Sequence, residues 1–162
     1  VGISVPPPAL QKLDTTRDVM IQAEDFSSQG LDKVSIVEGR AGAFGTAITK
    51  WEATPGHWVE WKFDAPADAN YEIVLKYATA SPQSKRSLEI DGQTPAGLES
   101  GVLLPGTGGY SASEDNWKMW QVLGTDQKPL RVALKKGAHT LRMANEGGGL
   151  ALDYILVKKA GE

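Results

Sequence analysis

Three oxygen-bearing side chains draw attention because of where they fall. Gln22 and Glu24 lie in the run 20–26 (MIQAEDF), and Asp153 lies in the run 150–157 (LALDYILV). Both runs are short and apolar-rich, the make-up of strands. Side chains alternate faces along a strand, so Gln22 and Glu24 share one side, and Asp153 shares a face with Ile155 and Val157. A carboxylate on an apolar face costs free energy unless something neutralises it. Lys or Arg could do so, but neither run holds one before Lys158. A bound cation could also do so, and a set that offers only oxygens suits Ca²⁺ better than zinc. If the first and last strands lie side by side, these oxygens can meet. The plainer alternative puts the acids at strand ends, facing water, where isolated carboxylates usually stay.

The aromatic residues suggest a different chemistry. Trp51 precedes the polar loop EATPG, Trp117 ends a long loop, and Trp120 follows three residues later. Residues three apart on a strand point to opposite faces, so Trp117 and Trp120 cannot both enter one core. Trp120, beside Val122, is expected to pack inside, while Trp117 could present its ring at the rim. Two facing indoles would make a slot for the flat C–H face of a pyranose. Asn145, beside a glycine loop, carries both donors and acceptors for the hydroxyls. The alternative for Trp51 is half-burial beneath its own loop.

Enzymatic constellations are sparse. The two histidines, His57 and His139, both sit in strand patterns, and no G-x-S-x-G, H-E-x-x-H or phosphate loop is present. The glycine runs at 106–109 and 147–149 lead into no helix, so they read as turns rather than phosphate cradles. Glu114, Asp115 and Glu146 read as solvated loop charges, although an acid pair for glycoside hydrolysis can be drawn from almost any acidic chain.

The elements that must position these residues are short strands. At 162 residues, one domain with a sizeable core is expected. The net charge of −3 argues against a nucleic-acid partner, and no apolar run reaches the length of a membrane span. There are no cysteines, which excludes disulfides, thiolate metal sites and cysteine nucleophiles. With 18 Gly and 9 Pro spread over many breaks, the chain has the punctuation of a turn-rich β protein. Strands are expected near 33–38, 46–51, 57–63, 71–80, 88–90, 102–104, 117–123, 130–134 and 139–143, besides the opening and closing runs. The last two of these flank Lys135-Lys136-Gly137 as a hairpin. The triple proline at 6–8 marks residues 1–18 as a linker or N-terminal extension, leaving 19–162 as the folded module. Residues 105–116 form the longest loop, and loops of that length are commonly functional. The resulting fold class is all-β, a β-sandwich or jelly roll of two antiparallel sheets.

Taken in order, IQAEDF at 21–26, PGHWVEW at 55–61, LPGTGGY at 104–110 with W-x-x-W at 117–120, KKGAHTLRM at 135–143 and NEGGGLALDYI at 145–155 resemble the carbohydrate-binding modules of families 6 and 35. The resemblance covers about residues 20–159. It implies a non-catalytic sugar-binding jelly roll attached to a glycoside hydrolase or polysaccharide lyase. It also implies a structural Ca²⁺ held at the positions of Gln22, Glu24 and Asp153. A sugar cleft in the loops at one edge would be built on Trp51, Trp117 and Asn145. The insertion 110–116 lets Tyr110 cover or replace part of that cleft, and some relatives use the concave sheet face instead. For a uronate, Arg40, Lys50 and Lys118 are the candidate cations. The expected partner is therefore a polysaccharide or oligosaccharide, with a covalently linked catalytic domain. Neither nucleic acid nor membrane is expected as a partner, the module is expected to be monomeric, and its setting is extracellular, periplasmic or on a cell surface. A small jelly-roll lyase or hydrolase, or a structural module with an unused cleft, are the alternatives.

Overall fold

The computed structural model describes residues 18–38, 43, 46–109 and 116–160. Tyr110, Arg40, Glu114 and Asp115 lie outside the described residues, as do most of the expected N-terminal extension and part of the long loop. Among the described residues there are twelve strands: β1 (Asp18–Gln22), β2 (Ser28–Gly30), β3 (Ser35–Glu38), β4 (Thr46–Thr49), β5 (Trp58–Ala65), β6 (Ala69–Ala78), β7 (Gln83–Ile90), β8 (Val102–Pro105), β9 (Lys118–Gln121), β10 (Val132–Leu134), β11 (Gly137–Gly147) and β12 (Ala151–Lys159). They form two antiparallel sheets, as the alternation predicts. One runs β10-β6-β12-β4-β3, with β1 also on β12 and β9 also on β6; the other runs β2-β5-β11-β7-β8. Among the described residues, no helix is long and apolar enough to cross a membrane.

The core lies between the sheets and follows the period of two. Val59, Trp61 and Phe63 of β5, Tyr71, Ile73, Leu75 and Tyr77 of β6, and Leu141 and Met143 of β11 all point inward and are buried. The first and last strands do lie side by side, with Ile21 opposite Ile155 and Gln22 opposite Tyr154.

Three expectations about local structure are corrected. First, the opening strand stops at Gln22, and Ala23–Asp25 form a 3₁₀ turn. The Ala23 carbonyl accepts from the Trp61 indole at 2.9 Å and so serves the core rather than a ladder. Second, Asp153 does not share a face with Ile155. Leu152 pairs with Tyr77 and Tyr154 with Lys76, so Asp153 is an extra residue in a β-bulge that resets the alternation. Third, residues 130–143 form no hairpin, because β10 pairs with β6 and β11 with β5 and β7, in opposite sheets. The intervening turn crosses between sheets and is tied down where Lys136 N donates to Asp68 Oδ1 at 2.7 Å.

Candidate functional site

Lys85, Arg86 and the strands around them organise one end of the sandwich. Arg86 follows the alternation of β7, in phase with Ser84, Leu88 and Ile90, so an arginine stands on the core-facing row. It is fully buried. Its Nη1 donates to Lys85 O, Asn145 Oδ1 and Gly147 O, and its Nη2 to Trp51 O and Gly148 O. Its guanidinium also lies over the Trp51 ring, 4.6 Å from the centroid. Burial pulls its pKa down to about 10, with Glu52 pushing the other way, so the group remains charged at neutral pH. This arginine holds the 51–54 and 147–149 loops in fixed relation.

Trp51 and Asn145 belong to that hub, not to a sugar slot. Trp51 is buried, donates its indole N–H to His57 O at 2.9 Å, and meets Trp61 edge-on. Asn145 is buried, and both ends of its amide are occupied. Its Oδ1 accepts from Arg86 and from Gly147 N at 2.9 Å; its Nδ2 donates to Glu52 O at 3.2 Å and Thr54 O at 3.1 Å. The expected rim position of Trp117 is also corrected, since its ring is only 1% exposed. As the spacing predicts, it lies on the face opposite Trp120. It packs against Ala47, Ala78 and Ala151 on the neighbouring strands β4, β6 and β12. Three small side chains leave room beside them for a buried indole. The two indoles therefore do not face each other across a slot.

An open cleft nevertheless lies against these residues. It has a volume of about 280 Å³ and is lined by Thr49, Lys50 and Glu52 from one side, residues 78–81 from the second, and residues 149–151 from the third. Ala78 and Ala151 in its wall are the residues on which Trp117 rests. The Glu52 carbonyl is one of the groups that Asn145 holds. Lys50 and Glu52 are exposed, and Lys50 adopts a left-handed backbone at φ +60° beside the cleft. Hydroxyl groups fix the wall. The Gly149 carbonyl accepts from Thr79 Oγ1 at 2.7 Å and from Ser84 Oγ, while Gly149 N donates to Ser81 Oγ at 3.0 Å. A Cβ at Gly149 would come within 2.9 Å of the exposed Glu52 carboxylate, which would have to swing aside. Gly109 bridges to Thr79, a residue of the cleft wall. Glu52, Ser81 and Arg86 were not singled out by sequence reasoning. For Arg86 a signal existed, its phase with Leu88 and Ile90; for Glu52 and Ser81 the sequence offers only polar loops.

The metal candidates are brought together in part. Gln22 and Tyr154 are paired across β1 and β12, which places Gln22 beside Asp153. The 3₁₀ turn carrying Glu24 packs on β4 and β12. Gln22 Oε1 and Glu24 Oε1 are both buried with no hydrogen-bond partner. Asp153, however, has a protein cation beside it. Lys76 of β6 approaches its Oδ2 at 3.1 Å, and both side chains are fully buried. The neutralising group was thus present, but on a third strand.

Solved structures share this fold. A family 35 carbohydrate-binding module from Clostridium thermocellum is 20% identical, with a TM-score of 0.66 over 88% of this chain and 98% of its own. The C-terminal family 6 module of LamC, a marine laminarinase from Zobellia galactanivorans, is 19% identical, with a TM-score of 0.64 over 88% of this chain and 99% of that module. A module of Cellvibrio mixtus lichenase 5A, solved in complex with cellotriose, is 23% identical, with a TM-score of 0.60 over 88% of this chain and 98% of its own. In sequence, the chain is 26% identical over 137 residues to an exo-beta-D-glucosaminidase of Amycolatopsis orientalis. The match spans 83% of this chain but only 12% of that enzyme. No family model matches the chain.

Proposed function

We propose that this chain is a non-catalytic carbohydrate-binding module that delivers an attached polysaccharide-degrading enzyme to its glycan, with the sugar seated in the Lys50–Glu52 cleft. The carrying observation is that a whole sandwich of the carbohydrate-binding type has an open, polar-walled cleft at one end. In support, the chain matches a small fraction of a glycosidase and nearly the full length of binding modules solved on their own. Lys50, Glu52 and Ser81 supply hydrogen bonds to hydroxyls, and Tyr110 is the aromatic that the family resemblance offers for stacking. Trp51, Trp117 and Asn145 shape the cleft from behind. A uronate would pair with Lys50.

A Ca²⁺ ion fits the residues of the first and last strands. Two buried oxygens without partners, Gln22 Oε1 and Glu24 Oε1, form a donor set that only a cation or a hydrogen-bond donor would satisfy. Gln22, Glu24 and Asp153 would hold it, and when bound it would fix the chain ends to each other.

The test is affinity electrophoresis on a panel of plant, algal and uronate polysaccharides, with and without EDTA. Lys50→Gly removes the side chain while suiting the left-handed backbone, and is compared with Glu52→Ala and Tyr110→Ala. Loss of retardation of about tenfold in at least one variant, with an unchanged melting temperature, is the expected outcome. Full retention in all three would move the site elsewhere, and turnover by the isolated chain would make it an enzyme.

A further inference from the structure

Five tryptophans serve this domain, and four of them are already engaged. Trp51 and Trp61 donate their indole N–H groups to carbonyls. Trp58 lies under the Arg142 guanidinium, 3.8 Å from the ring centroid. Trp117 also has a partner. Among the described residues the Trp120 indole has no hydrogen-bond, ion or ring partner; it packs against the edge of the core and is only partly buried. It stands on β9, opposite Leu75, at the edge of its sheet. Across the mouth of the sandwich lies β8, the edge strand of the other sheet.

Trp120 lines a hollow of about 260 Å³ between these two edges, together with Leu103, Leu123, Ser100, Thr125 and Gln127. Leu103 is 48% exposed, which is unusual for a large apolar side chain beside an indole. No charged side chain is among those lining this hollow. Above the apolar floor stand two hydroxyls and one primary amide, all exposed. Gln127 is held there with a left-handed backbone at φ +64°, by a turn in which Gln127 N donates to Gly124 O at 3.0 Å. The loops are locked together where Thr125 N donates to Gly97 O at 3.0 Å, so the walls are preformed. A larger hollow of about 650 Å³ adjoins it, sharing Gly97, Gly124 and Thr125.

We infer that this edge hollow is a second saccharide site, distinct from the Lys50–Glu52 cleft, which takes one neutral pyranose ring of a longer chain against Trp120. A partly exposed indole in the lining, with apolar neighbours, matches the C–H face of a sugar. A rim of uncharged donors and acceptors matches its hydroxyls and offers nothing to a carboxylate or amine. The adjoining hollow leaves room for the next residue of the chain. Two sites on one rigid domain would hold a single polymer more tightly than either alone. The choice of ligand class rests on the carbohydrate reading above; the location does not.

The test is a titration of the ¹⁵N-labelled chain with linear neutral gluco-, manno- and galacto-oligosaccharides, followed by NMR. The Trp120 indole N–H signal is identified by its loss in Trp120→Phe. It and the Gln127 side-chain amide should shift saturably with at least one series. Leu103→Arg places a long charged chain at the hollow from an exposed position. Gln127→Gly removes the amide where glycine suits the backbone. Each should weaken the response at Trp120 about tenfold while leaving the midpoints at Ser81 and Gly149 unchanged. Shifts at Ser81 and Gly149 without shifts at Trp120 would overturn the second site and keep the first. A Trp120 response indifferent to both variants would overturn it as well. No shift anywhere, with any series, would overturn the carbohydrate reading itself.

Discussion

Two buried cations hold this sandwich together, and they are satisfied in opposite ways. Arg86 has no carboxylate in its hydrogen-bond set; its guanidinium is divided among five oxygens, four of them main-chain carbonyls. Lys76 faces a carboxylate, Asp153, at 3.1 Å in a region where two further acceptors, on Gln22 and Glu24, lack partners. The planar fork of Arg gathers several carbonyls at fixed angles, whereas the Lys ammonium acts as a point charge. The first arrangement is nearly closed, with only Nε unpartnered. The second leaves an amide oxygen and a carboxylate oxygen without donors, which a further cation or donor would satisfy. The largest expected effect comes from opening the closed one. Arg86→Leu would deprive several buried oxygens of their donors, each costing about 1–3 kcal/mol, so a loss of about 4 kcal/mol is expected in urea unfolding. Arg86→Lys should recover only a minor part of that loss. A loss of less than about 1 kcal/mol for Arg86→Leu would show that water substitutes freely for the hub.

The Lys76 region sharpens the contrast through its response to calcium. Asp153→Asn removes the counter-charge of a buried ammonium and should cost about 3 kcal/mol. It should also abolish any rise in melting temperature on adding Ca²⁺. In the unmodified chain that rise reflects binding to the folded state alone, about 2.7 kcal/mol at a hundredfold excess over Kd. Lys76→Met has the opposite signature. It leaves the Asp153 carboxylate without the protein's own cation, so stability in EDTA should fall while the gain from Ca²⁺ increases. An equal calcium response in the two variants would remove the metal from that site.

The same contrast explains what could be read from the sequence. Strand positions and the partition of core residues were legible, because β5, β6 and β11 obey a strict period of two. The face of Asp153 was not, because one bulged residue inverts the phase and nothing local to LALDYI announces it. Alternation along β6 puts Lys76 on the face opposite Leu75, but its partner lies on the neighbouring strand, 77 residues away in sequence, and pairing across a sheet is not written locally. The burial of Trp51 depends on Arg86, which reaches it from another strand. A rule that indoles at loop ends face solvent fails where a distant guanidinium covers the ring. For Trp117 the missing information was the set of three alanines, each unremarkable in its own strand.

A third cation at the surface combines both modes and yields the smallest effect. His139 has its Nδ1 2.7 Å from Asp91 Oδ2 and its Nε2 2.6 Å from the Lys135 carbonyl. Both neighbours only accept, so the arrangement favours the doubly protonated, cationic imidazole. Partial burial, the largest single influence, pulls its pKa down, but the Lys135 carbonyl and the carboxylates of Asp91 and Asp64 outweigh it and raise it above 6.5. For Asp91, burial pushes upward and is outweighed by the bonds from His139 and Thr140 N, so its pKa lies below 3.8. The histidine's contribution is fully present below pH 6.5 and is lost as pH rises through its raised folded value. The aspartate's contribution is present above pH 3.8 and is lost as pH falls through its lowered folded value. Their joint contribution is therefore greatest between these two ordinary values. The pair is partly exposed, so less than about 1 kcal/mol is expected. Urea midpoints should fall slightly from about pH 6 to pH 8, and the fall should vanish in His139→Gln. An undiminished fall in that variant would assign the titration to another group and leave Arg86 and Lys76 as the cations that matter to this fold.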